Sequence, residues 1–375
     1  MFHRSGLVIV LLTTAFSIVE AAAQEKKSLR IYVGTYTQAP SEGINLLIMD
    51  PDSGQITHQG VVAKTENPSF LAIHPIGQYE GKASGSVSAF RIDPESGSLS
   101  LINRQSSEGG APCHIVIDTE GKNVLVANYS GGNVAVLPIQ PDGSLSPTSD
   151  VVQHKGSSVN PRRQEGPHAH SINLDATGRY AIAADLGIDK LLVYRFDSKA
   201  GSLTPNDPPA AIVQPGAGPR HFDFHPNNRL AFSINELNSS VTAFLFDPEA
   251  GTLEETQTIS TLPEGFEGNN STADIHVHPS GKFLYGSNRG HDSIAMFRID
   301  EKAGTLEPLG HQSTGGSTPR NFGIDPTGRF LLAANQGSDS IIVFRIDQET
   351  GALEQTEHRV EVPAPVCIKF LPSGF

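Results

Sequence analysis

One short pattern returns seven times along this chain, and it leaves few folds open. It reads MDPDSGQI (49–56), IDPESGSL (92–99), IQPDGSL (139–145), FDSKAGSL (196–203), FDPEAGTL (246–253), IDEKAGTL (299–306) and IDQETGAL (346–353). Each copy has the apolar end of a strand, a polar turn, a glycine and a returning apolar residue. Glycine suits the left-handed backbone position of such a hairpin loop. A second element precedes most copies, as in FDFHPNNRLAFSINE, IHVHPSGKFLYGSNRG and FGIDPTGRFLLAANQG. There a short strand runs into His-Pro or Asp-Pro, turns, and a second strand ends in a polar residue. From Asp118 to Gln140, Asp175 to Asp197, His225 to Asp247, His278 to Asp300 and Asp325 to Asp347 the interval is 22 residues each time.

Each unit therefore reads as four short antiparallel strands, a to d. Repeats of roughly 40–50 residues with four strands are the signature of propeller blades. The predicted fold is all-β, a seven-bladed β-propeller with four-stranded blades. RIYVGTYT, GINLLIMD and QITHQGVV supply strands b, c and d of the first blade, and PVCIKFLP at the far end of the chain supplies its strand a. N- and C-terminal strands thus share one blade, which removes free sheet edges. Blade 2 is abridged: His74 to Asp93 spans only 19 residues, and its strand b is expected to be short or absent. Cys113 and Cys367 fall on inner strands two blades apart, beyond disulfide reach, so both are expected to be reduced and buried.

Other features set the boundaries. MFHRSGLVIVLLTTAFSIVEAAAQEKK opens with His3 and Arg4, continues with an apolar run from Leu7 to Val19, and reaches Ala21-Ala22-Ala23. This is the pattern of a secretory signal over residues 1–23, followed by one propeller domain over 24–375. The protein is expected to be exported, periplasmic or secreted, with no membrane anchor. A net charge of −13 with no basic run argues against nucleic acid as a partner. A monomer is expected.

The register also gathers chemistry. In a blade, strand a starts and strand b ends at the same mouth. Five residues before the His-Pro or Asp-Pro landmark stand Cys113, His170, Arg220 and Arg320; one place later stand His114, His221, Asp274, Asn321 and Cys367. The strand b ends read as Asn128, Asp185, Glu236, Arg289 and Gln336. Sevenfold pseudo-symmetry carries these points to one opening. The connection from Ser146 to Pro167, with His154, Arg162, Arg163 and Glu165, is long enough to overhang it as a lid. His74, His225 and His278 replace a repeated Asp before Pro and read as turn caps on the opposite face. His168 and His170 have the one-face spacing of metal ligands, but no third ligand is apparent, so no metal and no cofactor are expected.

These motifs carry a resemblance. YVGTYT, NPSFLAIHP, YEGKASGSVSAF, GSSVNPRRQEGPHAHS, GPRHFDFHP and INELNSSVTAF resemble the seven-bladed propeller lactonases, which include propeller-type 6-phosphogluconolactonases and are related to carboxymuconate cyclases. The resemblance implies hydrolysis, or reversible formation, of a lactone ring, with a small-molecule lactone or sugar acid as the partner. It also implies a His, an Arg, a Glu and a second Arg around the channel mouth. By motif these fall on His168 or His170, on Arg220, on Glu236, and on Arg289 or Arg320. The resulting assignment is His170, Arg220, Glu236 and Arg289 as catalytic, with His168, His114, His221, Arg320 and Asn128 binding substrate. Arginines would stabilise the oxyanion, and Glu236 or His170 would take the proton from water. No G-x-S-x-G elbow points to a covalent nucleophile. On this reading Arg220→Ala cuts turnover with little change in melting temperature. Two other functions fit the same architecture: a propeller that binds a ligand or protein without catalysis, and a cycloisomerase acting on an unsaturated diacid.

Overall fold

The computed structural model describes residues 28–371 apart from 38–39, 75–77 and 84. The expected signal segment lies outside the described residues. The strands form seven four-stranded antiparallel sheets. In blade 1 the C-terminal strand Pro365–Phe370 pairs with Leu29–Thr35, which is followed by Gly43–Met49 and Ile56–Lys64. Ile31 faces Phe370 and Val33 faces Ile368, so the two ends of the chain are hydrogen-bonded into one sheet. The inner strands of successive blades touch in order around a single axis, and the last touches the first.

Blade 2 departs from the others in a way the spacing alone does not locate. Its second strand, Gln78–Ala83, is present and six residues long. The inner strand is what shrinks: Leu71–Ile73 has three residues, where Pro112–Ile117 and Ala169–Leu174 have six. That inner strand precedes His74, so its shortening is separate from the short interval between His74 and Asp93, and all four strands remain.

Each blade is covered on both faces by its neighbours, and that dictates the composition of its strands. Strands b of blades 3, 4, 5 and 7 are buried at every position: Asn123–Asn128, Tyr180–Asp185, Leu230–Asn235 and Phe330–Asn335. They read as continuous apolar runs because neither face meets water. The outer strand Leu353–Glu361 is mostly solvated. The core lies between blades. Phe232, Ile234 and Ala243 of blade 5, for example, pack on Leu284, Ala295 and Phe297 of blade 6. Fully burying each such large side chain stabilises by about 1.5–3 kcal/mol.

The face opposite the mouth is stitched by the repeated turns. All seven repeat glycines (Gly54, Gly97, Gly143, Gly201, Gly251, Gly304 and Gly351) have positive φ, between 61° and 84°. Carbonyls at these turns accept the hydroxyls of tyrosines from the preceding blade: Tyr32 to Gly97, Tyr180 to Glu249 and Tyr285 to Gly351. His74, His225 and His278 donate from Nε2 to the carbonyls of Gly121, Gly281 and Gly328 in the next blade. They serve these turns and lie away from the mouth. At Gly251 a side chain would need φ of 68° and would also collide with the Tyr180 ring. Gly251→Ala is therefore expected to cost about 2–4 kcal/mol in urea unfolding, while the catalytic parameters of the folded fraction stay unchanged.

Candidate active site

The inner strands are not regular. In five blades one residue is left over in the pairing between strands a and b. It is Val366 in blade 1, Cys113 in blade 3, His170 in blade 4, Arg220 in blade 5 and Arg320 in blade 7. In blade 6 the irregularity falls at Ala273 and Asp274. A bulge of this kind frees a residue from the ladder and bends the strand. Here it re-aims one side chain per blade toward the axis, and His170, Arg220 and Arg320 are among them.

These residues line two connected spaces. The upper one, of about 620 Å³, is lined by Tyr36, Tyr129, Arg163, His170, Glu236, Arg289, Arg320 and Gln336, among others. Beneath it lies a neck of about 20 Å³ bounded by Cys113, His170, Arg220, His221 and Arg320. That is room for about one water molecule. The structure thus brings together His170, Arg220, His221, Glu236, Arg289 and Arg320 out of the residues predicted from sequence.

Glu236 organises the upper cavity. Its Oε1 accepts from Arg163 Nη2 at 2.6 Å; its Oε2 accepts from Arg220 Nε at 2.9 Å and lies 2.9 Å from Arg289 Nη2. Burial alone would raise the carboxyl pKa, but Arg220, Arg289 and Arg163 outweigh it and hold Glu236 at about 2. Burial, with Arg289 and Arg320 nearby, pushes the Arg220 guanidinium down to about 9, still protonated at neutral pH. Arg220 Nη1 also donates to the Ala273 carbonyl of the next blade, which fixes its plane. Arg320 differs. Its guanidinium lies over the Tyr36 ring at 5.3 Å, and it has no carboxylate within salt-bridge distance among the described residues. Four arginines against one glutamate leave an excess positive charge among the described residues lining the cavity and neck.

Arg163 arrives on the long connection, part of which is not a lid. Asp150–Gln153 is the outer strand of blade 3, so the overhanging segment begins at His154. Two buried aspartates anchor it. Asp185 accepts from His154 Nδ1 at 2.6 Å and from the His168 amide at 2.7 Å. Asp189 accepts from the Ser158 hydroxyl and from the amides of Gly216 and Gly218, both at 2.7 Å, just before Arg220.

Three expected site residues, Asn128, His168 and His114, line neither the upper cavity nor the neck, and His221 lies between the neck and the space below it. Asn128 is fully buried and donates from Nδ2 to the Ser107 carbonyl. Asn288 and Asn335 do the same with Thr261 and Thr314. Asn128 is thus a framework residue, one place short of the true counterpart of Glu236. Because Pro112 pairs with Asn128 as Pro219 pairs with Asn235, that counterpart is Tyr129. Tyr129 does line the cavity, and counting from the ladder register would have found it. His168 stacks on Tyr129 at 4.6 Å and contacts its carbonyl and Glu165 at the rim.

His114 and His221 lie lower. Each bonds the next blade: Ile172 N donates to His114 Nδ1, and His221 Nδ1 donates to Asp274. With Asn321, whose Oδ1 accepts from Ile368 N, they form a belt around the axis. His114, His221 and Asp274 also line a separate space of about 360 Å³ below the neck. Neither cysteine is in a disulfide; Cys367 is buried, whereas Cys113, expected to be buried, is half-buried and faces the cavity. Among the described residues no cluster of three His, Cys, Asp or Glu side chains is arranged to hold a metal ion.

Comparison with known proteins gives this geometry a context. A family model described as "Lactonase, 7-bladed beta-propeller" matches residues 30–370. The chain is 40% identical over 348 residues to the 6-phosphogluconolactonase of Bacillus subtilis, covering 91% of this chain and 97% of that protein. It is 36% identical over 296 residues to the 6-phosphogluconolactonase of Formosa agariphila, covering 76% and 82% of the two chains. The structure of a periplasmic gluconolactonase from Pseudomonas aeruginosa superposes with a TM-score of 0.87 at 35% identity, covering 92% of this chain and 99% of the other.

The glutamate clamp has a measurable consequence. Its folded pKa of about 2 lies below the ordinary 4.5, so the ionised carboxylate contributes fully above 4.5 and loses its contribution as pH falls toward 2. That contribution is about 3 kcal/mol. Glu236→Gln is expected to lower stability at pH 7 by about 3–5 kcal/mol, because three guanidiniums lose their counter-charge. The gap to wild type, read from urea melts, should close between pH 4.5 and 2.

Proposed function

The chain belongs to the seven-bladed β-propeller lactonases, and from that premise we propose that it hydrolyses a sugar-acid lactone at the arginine-lined mouth. The observation that carries the reading is the surplus of guanidinium charge around one clamped carboxylate. Opening a lactone creates a tetrahedral oxyanion and then a carboxylate, and fixed positive charge in a confined site favours both. Glu236 holds three of the arginines in place. Arg320, with no carboxylate of its own among the described residues, is the cation left to engage substrate.

The clamp also sorts the proton chemistry. A carboxylate held near pKa 2 is a poor base at neutral pH. The imidazoles are better suited. Burial, together with Arg220, His221 and Arg320, keeps His170 well below the ordinary histidine value, so at pH 7 it is neutral and able to accept a proton. Burial and Arg220 push His221 down to about 4, which leaves it neutral as well. Water attack assisted by an imidazole at the cavity floor, with the arginines receiving the oxyanion, completes the cycle without a covalent intermediate.

The substrate class follows the relatives. The Bacillus subtilis protein is named for 6-phosphogluconolactone and the Pseudomonas aeruginosa protein for gluconolactone in the periplasm. The leader pattern of residues 1–23 supports an exported enzyme acting on a sugar lactone outside the cytoplasm.

Purified mature protein should release acid from members of an aldonolactone panel, followed by pH-stat. Absence of turnover across the panel would remove the hydrolase reading in favour of ligand binding alone. Arg320→Ala should lower kcat/KM by about 10²–10³ with a melting shift of a few degrees at most. The same test on Arg220→Ala is less clean than the sequence suggests. Arg220 is buried against Glu236, so that variant is expected to lose stability as well as activity. If the segment is a cleaved leader, N-terminal sequencing of protein recovered outside the cytoplasm should begin at Gln24.

A further inference from the structure

His221 holds a position that the belt around the axis does not require. Like His114 and Asn321 it bonds the neighbouring blade, but it is the one titratable member of that belt that also lines the neck, beside His170 and Arg220. It can do both because Arg220 is the extra residue of its strand, which leaves two successive side chains, Arg220 and His221, serving the axis. The His170 and His221 rings are 5.4 Å apart between centroids. Beneath them Phe70 closes against His114 at 4.2 Å and against His221 at 5.8 Å, which separates the neck from the lower space.

The two histidines differ in how they are held. His170 Nδ1 has a sulfur for company, Cys113 Sγ at 3.7 Å. His221 Nδ1 donates to Asp274 Oδ1 at 2.6 Å. That carboxylate is itself fixed by the amides of Ile275 and Phe322, by Asn321 Nδ2 and by His276 Nε2. Burial would raise its pKa, but His276 and His221 hold it well below the usual range, so it is ionised and can only accept. An accepting carboxylate at Nδ1 fixes the tautomer and leaves the Nε2 lone pair available. Nε2 makes no hydrogen bond among the described residues.

Resting on the lactonase reading above, we propose that His221, oriented by Asp274, is the base that takes the proton from the attacking water held in the neck. An O–H bond of water breaks, its proton passes to Nε2, and the oxygen bonds the lactone carbonyl carbon. The oxyanion faces the arginines. On collapse the ring C–O bond breaks and the imidazolium returns its proton to the leaving alkoxide. Water and lactone become the hydroxy acid, which ionises in solvent. Asp274 takes no proton; it is a positioning residue.

The test compares two nucleophiles within each variant. Hydroxylamine is nucleophilic without a base to deprotonate it, and forms a hydroxamate from the same lactone. His221→Asn keeps a donor for Asp274 but has no basic nitrogen. Its hydrolytic kcat should fall by about 10²–10⁴, with KM within threefold. Hydroxamate formation above the enzyme-free background should fall by less than tenfold. Asp274→Asn should show the same imbalance more weakly. The ratio of the two products within one sample does not depend on the folded fraction, so partial misfolding leaves the test intact. A wild type inactive on every lactone overturns both the lactonase reading and this assignment. An active wild type whose His221→Asn variant hydrolyses within threefold, or loses both products in equal proportion, overturns this assignment alone.

Discussion

The pairing of Pro365–Phe370 with Leu29–Thr35 is the constraint on which the molecule rests. It joins strands from opposite ends of the chain and completes a ring in which every blade has a neighbour on both faces. Without it, the blade 1 sheet would show an unpaired edge at Leu29–Thr35, beside the axis. With it, Ile31, Val33, Leu332 and Val343 lie in one sealed layer between blades 1 and 7. The inner strands are then held around a common axis, and a bulge in a strand there can aim one side chain inward without opening the ladder.

That arrangement permits an electrostatic design that a looser site could not hold. Arg220 is almost wholly buried and Arg289 nearly so. Burying guanidiniums is costly unless each finds a partner and further acceptors. Glu236 is the shared partner, and the carbonyls of Ala273 and Thr272 each accept one further bond, from Arg220 and Arg289 respectively. The clamp therefore has two effects. It makes a rigid cationic wall, and it holds the Glu236 carboxyl pKa down, so that the group stays ionised at neutral pH.

The same cations shape the histidines. Arg220 disfavours protonation of both His170 and His221, so burial and charge act together to keep both rings neutral. The field that suits an oxyanion thus also keeps the imidazoles free to accept a proton. Binding of an anionic group would offset part of that field and raise their basicity at the moment of reaction. On the proposed reading, binding and acid–base competence would be coupled through one set of arginines.

Much of this was legible in the chain itself. Seven turn motifs, a constant interval and glycines that need positive φ are local properties, set by a few adjacent residues, and they dictated blades, their number and the face on which the turns lie. They also brought His170, Arg220, Glu236, Arg289 and Arg320 to one mouth, because a repeat places equivalent positions around one axis. Three-dimensional packing decided the rest. A bulge is a property of two paired strands, so neither the displacement of Arg220 from His221 nor the one-residue slip that turned Asn128 into Tyr129 is visible in either strand alone. Whether blade 2 keeps its second strand, whether Arg163 reaches Glu236, and whether His114 stands above or below the neck all depend on contacts between residues far apart in sequence, which no local pattern encodes.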